Sequence, residues 1–348
     1  MDPLTHALAG ATIAWSLTGR QLSRKSLLLG AAAGLLADAD VLIRSAADPL
    51  LAIQHHRGFT HSLLFIPMGA LLATLPFLRT TADRKSRAYL AALCAYASHP
   101  ILDAATTYGT QLFWPFSSYR VGLDIISIID PIFTLILIAA FFAALAARRK
   151  ILLAALSLAI LWLATGAAQR ERALEAQQRL AVSRSDARSR GEVFPTIGNT
   201  IVWRSIYRTG DTLRIDRIRV PWFGTASYAA TTSVPVAVPR NSPATTRPNQ
   251  IPNLARGTEA PEVPTRDFRR FAWFSDGWIA RDPADPTVIG DARYSLRAET
   301  WSPVWGIRLH HDPNRPTEWI NHTRNRRTDP QALWKALTGD NLTFRLIP

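Results

Sequence analysis

The sequence changes character near residue 169. Before that point apolar segments run at about residues 4–18, 26–43, 59–78, 87–108, 125–147 and 151–168, and after it no long apolar run occurs. A bilayer core takes roughly 20 consecutive apolar residues to cross as a helix. The first half, residues 1–168, is therefore expected to be an all-α membrane-embedded bundle of about six segments, the first of them short. That first segment suits a tilted, half-inserted or protein-buried helix. It makes a poor signal peptide, because no Lys or Arg precedes it, and the N-terminus is expected to be retained.

The second half, residues 169–348, reads as a soluble, β-rich domain. From about residue 200 the apolar period becomes two: Trp301, Pro303, Trp305, Ile307 and Leu309 alternate with polar or small residues, as do Tyr294, Leu296 and Ala298. Ile201–Tyr207, Leu213–Val220 and Phe271–Ile279 are further strand candidates, expected to pair antiparallel. Residues 169–190 read as a polar helix leaving the membrane. Residues 234–265, rich in Pro and Thr and poor in apolar residues, read as a long loop or linker.

The net charge of +14 is carried mainly by the second half, which holds 27 of the 40 basic residues against 18 acids. Membrane phospholipids are the expected anionic neighbours. A nucleic-acid partner is not expected, because no basic-aromatic module is present. The single cysteine, Cys94, lies in an apolar run and reads as a packing residue. Connections holding Arg20, Arg24 and Lys25, then Arg79, Arg84, Lys85 and Arg87, then Arg148, Arg149 and Lys150 alternate with connections holding only Arg44, Arg57 and Arg120. The basic set is expected in the cytoplasm of a multi-pass protein of the cytoplasmic membrane, with the C-terminal half on the other side.

Four polar sequences interrupt the apolar half at segment ends: Thr5-His6, Asp38-Ala39-Asp40, His55 to Ser62, and Ser98 to Asp103. The inferred topology places all four on one membrane face. Imidazoles and carboxylates at membrane depth are costly to desolvate unless buried in protein, paired, or bound to a cation. An antiparallel bundle brings alternate helix ends together, so these distant residues can share one pocket. His99 and Asp103, four apart, share a helix face, with Pro100 between them as a local kink or helix start. His56 and His61 flank Gly58, which suits a turn that aims both rings inward.

His6, Asp38, His56, His61, His99 and Asp103 are thus six candidate ligands, enough for one or more divalent ions. A mixed His and Asp set favours zinc, or manganese, over calcium. Such a centre activates water or polarises a phosphoryl or carbonyl oxygen. Asp40 is the spare carboxylate for a general base or for orienting a ligand, and Arg57 is placed to hold an anion. Metal-activated water at a membrane face is the leading reading of these residues. The alternatives are a membrane metal transporter or sensor, or a scaffold with a structural metal.

Neighbouring polar residues carry blander readings. His55 is taken as exposed or supporting, and Asp130, before Pro131, as a helix N-cap. Asp124 opens the fifth segment and is placed to join the cluster. Trp114, Pro115 and Phe116 read as an interfacial anchor. His310-His311-Asp312 is set aside, since three adjacent loop residues rarely converge on one ion.

In these motifs the chain resembles the YdjM-like family of membrane-bound metal-dependent hydrolases. The matching pieces are Met1 to His6, Gly34 to Asp40, His56 to Ser62, and His99 to Asp103 leading to Thr107-Tyr108-Gly109. They cover about the first 135 residues; Ala37 stands where the family often has Pro. The family in turn is similar to the zinc-dependent phospholipase C and single-strand nuclease group. That likeness implies His6, Asp38, His56, His61, His99 and Asp103 as ligands and a phosphoester as the substrate class, hence an integral membrane hydrolase acting on a phosphoester or related ester of a lipid or lipid-linked molecule.

Overall fold

The computed structural model describes residues 1–19, 22–78, 84–237, 265–295, 297–310, 317–321, 334–335, 337 and 344–347. Arg20, Arg79, Leu296, His311-Asp312 and most of the 234–265 stretch lie outside them. The chain divides into two compact units. One comprises Met1–Ile43, His55–Ala167 and Ile197–Asn199; the other comprises Arg44–Gln54, Ala168–Thr196 and Thr200–Pro348.

The first unit is helical, as the apolar segments predict. Its helices are α1 (Pro3–Thr18), α2 (Ser23–Leu36), α4 (Ile66–Thr74), α5 (Lys85–Ala104), α6 (Pro131–Leu145) and the first half of α7 (Arg149–Ser183). The short α3 (Leu51–His55) ends where this unit resumes after its excursion. Asp2 starts α1 by accepting from Thr5 N at 3.0 Å, with Pro3 as first helical residue. Asp130 caps α6 in the same way, accepting from Phe133 N at 2.9 Å, and its other oxygen accepts from Trp162 Nε1 at 3.2 Å. Gly10 on α1 faces Gly30 and Gly34 on α2, so the two backbones meet with no side chain between them; a Cβ at Gly34 would stand 2.5 Å from His6 O. Ala14, Ala33, Ala88, Ala91, Ala92 and Ala95 continue this close packing around Tyr96.

The expectation of about six crossing segments is corrected. Among the described residues α7 alone is long and apolar enough to cross a membrane by itself, and only 17% of its apolar window is buried. Counting the bent pair Leu51–His61 and Ile66–Phe77, which turns by 83°, as one span gives at most two. The physical reason is interruption. α1 has 16 residues and reaches about 24 Å, short of a bilayer core of about 30 Å. The second segment breaks at Ala37–Leu42 into a 3-10 turn, and α5 carries Lys85, Arg87, His99 and Asp103. Pro100 lies inside α5, which runs on to Ala104, so it is not a helix start.

The second unit is mostly antiparallel sheet. One sheet has the order β1 (Arg188–Pro195), β2 (Val202–Thr209), β3 (Thr212–Arg219), β4 (Ser227–Pro235) and β9 (Arg345–Leu346). The other runs β5 (Ile279–Arg281), β6 (Val288–Asp291), β7 (Trp305–Arg308) and β8 (Glu318–Asn321). On one face of the first sheet, Ala173, Ala176 and Leu180 of α7 pack against Val193, Trp203 and Ile218. Elsewhere Phe194, Ile206, Ile215 and Val234 meet Trp278 and Ala280.

Three local expectations fail here. Phe271–Ile279 is not one strand: α8 (Thr265–Phe274) fills its first half, because Phe268, Phe271 and Phe274 recur at a helical spacing of three. Around the alternation at Tyr294 and Ala298 the described residues form no strand: Ser295 makes an isolated antiparallel bridge to Pro303, Ala298 lies in a turn, and Leu296 is outside the described residues. The polar helix ends at Ser183, and residues 188–190 already belong to β1, paired with β2.

Candidate metal centre

Within the helical unit, α5 supplies two donors one turn apart. His99 and Asp103 are both fully buried, with Nε2 and Oδ2 at 3.4 Å. The 3-10 turn after α2 brings Asp38, whose Oδ1 stands 3.3 Å from His99 Nε2. His61 comes from a second 3-10 turn, Phe59–His61, and its Nε2 is 3.0 Å from His99 Nε2, 3.3 Å from Asp103 Oδ2 and 3.6 Å from Asp38 Oδ1. Donors bound at about 2.0–2.1 Å in tetrahedral array lie roughly 3.3 Å from one another. Five separations between 3.0 and 3.6 Å therefore describe a set of atoms around one point.

The hydrogen bonds on the outer side decide what faces that point. His99 Nδ1 donates to Gly34 O at 2.5 Å, which leaves its Nε2 as a lone pair. His61 Nδ1 lies 3.2 Å from Asp40 Oδ2 and 3.0 Å from Thr60 Oγ1, so its Nε2 is the ring atom turned inward. Two imidazole lone pairs 3.0 Å apart repel unless a proton or a cation lies between them. Asp103 Oδ2 is buried with no hydrogen-bond partner. The donor set and its orphaned carboxylate oxygen fit a divalent cation.

Asp40 is buried and fully engaged. Its Oδ1 accepts from His56 Nδ1 at 2.8 Å, and its Oδ2 accepts from Arg57 N at 2.9 Å and Thr60 Oγ1 at 2.8 Å. It behaves as an outer carboxylate that sets the His61 ring. Asp38, Asp40 and His56 form a second group close enough to share an ion, with Asp38 common to both groups. His6 does not join either group. It stacks on His99 with ring centroids 3.6 Å apart, and its Nε2 is 3.1 Å from Asp103 Oδ1.

Arg57, expected to hold an anion, is turned into the protein. Nη2 is 2.9 Å from Asp103 Oδ1, Nη1 donates to Thr106 Oγ1 at 2.9 Å, and the guanidinium lies 4.6 Å from the Tyr108 ring centre. The Met1 amino group also bonds Asp103 Oδ1. Arg57 adopts φ 62°, a left-handed conformation that costs a non-glycine residue about 1–3 kcal/mol. The bond from its N–H to Asp40 and that from Gln111 N to its carbonyl hold it there.

Sequence reasoning missed three supports. Tyr96 Oη donates to Thr60 O at 2.7 Å and fixes the His61 turn. Gly69 leaves room for the Tyr96 ring, and Gly34 supplies the carbonyl that orients His99. The Gly30-xxx-Gly34 spacing was the readable signal for the last. His55, Asp124 and Asp130 belong to neither metal-capable group.

The fold and cluster define a helical protein with a buried His and Asp centre able to hold a cation, joined to an antiparallel β unit. Residues 1–173 match the family model described as YdjM inner membrane protein. Inner membrane protein YbcI of Escherichia coli (strain K12) is 32% identical over 119 residues, 34% of this chain and 69% of that protein. The chain belongs to the YdjM inner membrane protein family and is an inner membrane protein. No solved structure matches.

Proposed function

We propose that this membrane protein is a metal-dependent hydrolase whose substrate is a phosphoester or related ester of a lipid or lipid-linked molecule. The observation that carries the reading is the convergence of His61 Nε2, His99 Nε2, Asp38 Oδ1 and Asp103 Oδ2, with both rings oriented from outside. This donor mix suits zinc first and manganese next. A divalent cation held there would polarise an ester oxygen and make water a better nucleophile at neutral pH.

The chain's own residues divide the remaining work. Asp40 and Thr60 orient His61, the Gly34 carbonyl orients His99, and Arg57 with His6 positions Asp103. Asp38 and His56, whose side chains are 21% and 23% exposed, are the ones a substrate can approach. On α2 and α5 the basic residues Arg24, Lys25, Lys85 and Arg87 stand at the ends opposite the cluster, which supports a site on the non-cytoplasmic side. Arg148, Arg149 and Lys150 at the start of α7 support the same side for the C-terminal unit.

One observation favours a second reading, a scaffold with a structural ion: His61, His99 and Asp103 are fully buried, as ligands of closed structural sites are. Elemental analysis of detergent-purified protein, followed by assay against phospholipids and lipid-linked phosphoesters, separates the two. Bound metal with turnover that His61→Ala abolishes is the expected result. Bound metal without turnover of any of these substrates, or metal flux in proteoliposomes, overturns the hydrolase. Reporter fusions after residues 84 and 175 are expected on opposite sides of the membrane, and the same side overturns the orientation.

A further inference from the structure

Among the described residues of the β unit, the loop between β3 and β4 holds the most exposed large apolar side chain. Phe223 is 91% and Trp222 51% exposed, followed by Gly224 at φ 101° and exposed Thr225. Solvent-exposed aromatics at a loop tip are unfavourable in water. The surrounding bonds nevertheless hold this tip out. Trp222 Nε1 donates to Thr200 Oγ1 at 3.2 Å, so the polar edge of the indole is satisfied while its ring stays outside.

The height of this loop is set by α7. Gln169 Nε2 donates to the carbonyls of Thr200 at 2.9 Å and Val220 at 3.0 Å, and Arg172 Nη1 donates to Trp222 O at 3.4 Å. Further along the helix, Gln177 bonds Ser205 and Ile206, and Arg184 bonds Tyr207 and Asp216. From residue 169 to residue 184 the helix thus climbs β2 from its start to its end, about 22 Å at 1.5 Å per residue. The apolar run of α7 ends at about residue 168. The aromatic loop therefore stands beside the turn on which the apolar run of α7 ends, and the hairpin tip at Gly210-Asp211 stands at the far end of the same sheet.

From this placement we infer that Trp222 and Phe223 insert into the headgroup region of the bilayer that α7 crosses, anchoring the β unit to the lipid surface. Amphipathic Trp favours that depth, and Arg172 sets a positive charge at the level of the phosphates. The inference rests on α7 crossing the membrane and is independent of any metal chemistry.

The test uses the full chain in nanodiscs of phosphatidylethanolamine and phosphatidylglycerol. With Cys94→Ala removing the native thiol, an environment-sensitive fluorophore is placed at Thr225→Cys and, as reference, at Asp211→Cys. Lipids carrying a headgroup-level nitroxide are expected to quench the Thr225→Cys probe roughly tenfold more strongly than the Asp211→Cys probe. Adding Trp222→Ser and Phe223→Ser is expected to abolish that difference with only a small fall in melting temperature, because Phe223 is exposed and Trp222 gives up one hydrogen bond, to Thr200. Equal quenching at the two positions overturns the inference. A Thr225→Cys probe shielded from water but unquenched by lipid also overturns it, and points to a protein partner. Quenching that survives the double substitution shows that the aromatics do not anchor the loop.

Discussion

The two units both bury charge, and they do so in opposite ways. In the β unit Arg293 donates to Asp291 through Nε and Nη2, at 3.0 and 2.8 Å, and to Phe274 O at 2.9 Å. Burial works against that guanidinium, but the Asp291 carboxylate more than offsets it and holds the Arg293 pKa above the ordinary arginine value. Arg204, completely enclosed, gives four bonds to the carbonyls of Ala292, Arg297, Ala298 and Thr300, and burial pushes its pKa down to about 9. These charges are closed by the fold itself. What is left over, Arg204 Nη2, is a donor. In the helical cluster Asp103 Oδ2 is left without a hydrogen-bond partner, and His61 Nε2 and His99 Nε2 face each other at 3.0 Å beside it. One guanidinium giving its protons to four carbonyls pins a loop, whereas ring nitrogens and carboxylate oxygens gathered round one point make a place for a cation.

The contrast breaks first at Asp103. Asp103→Ala removes a donor and strands buried Arg57, so metal content by elemental analysis is expected to fall to background and stability by about 3–5 kcal/mol. Metal that stays at the wild-type stoichiometry removes Asp103 from the ligand set. Arg293→Met leaves Asp291 buried and unpaired, and is expected to cost the β unit about 3 kcal/mol in thermal unfolding with metal content unchanged. If metal is lost as well, the two kinds of buried charge are not independent.

Asp40→Asn sharpens the difference between orienting and ligating. It is expected to weaken metal affinity about 10- to 100-fold in a chelator competition without abolishing binding. Gly34→Ala drives a Cβ towards the His6 carbonyl and should destabilise the helical unit by about 1–3 kcal/mol, with a matching fall in affinity as the His99 contact shifts. The smallest effect is expected at Arg308→Ala, which removes half-exposed pairs to Asp285 and Glu318 and should change stability by less than about 1 kcal/mol.

The hydropathy break near residue 169 and the alternation over Ile201–Tyr207 and Leu213–Val220 were readable because they follow from which faces water must leave. The reading of Asp130 as an N-cap was equally local, since the cap bonds a residue three positions on. The number of crossings was not, because apolar composition does not separate a helix facing lipid from one packed on a neighbour. Ala88, Ala91 and Ala95 on α5 are buried against other helices. The strand expected at Phe271–Ile279 failed for a related reason: aromatic residues suit either element, and the three-residue phenylalanine spacing turns out to mark the buried face of α8.

By itself the sequence determined that His and Asp residues stand at the ends of apolar segments, where their desolvation cost demands a partner. Only the tertiary structure decided which of them converge. His6 and Arg57 turned to Asp103, Asp40 turned to His56 and His61, and four atoms were left facing one another. That division depends on hydrogen bonds between residues as far apart as Gly34 and His99. Their geometry exists only once Gly10, Gly30 and Gly34 have let two backbones meet.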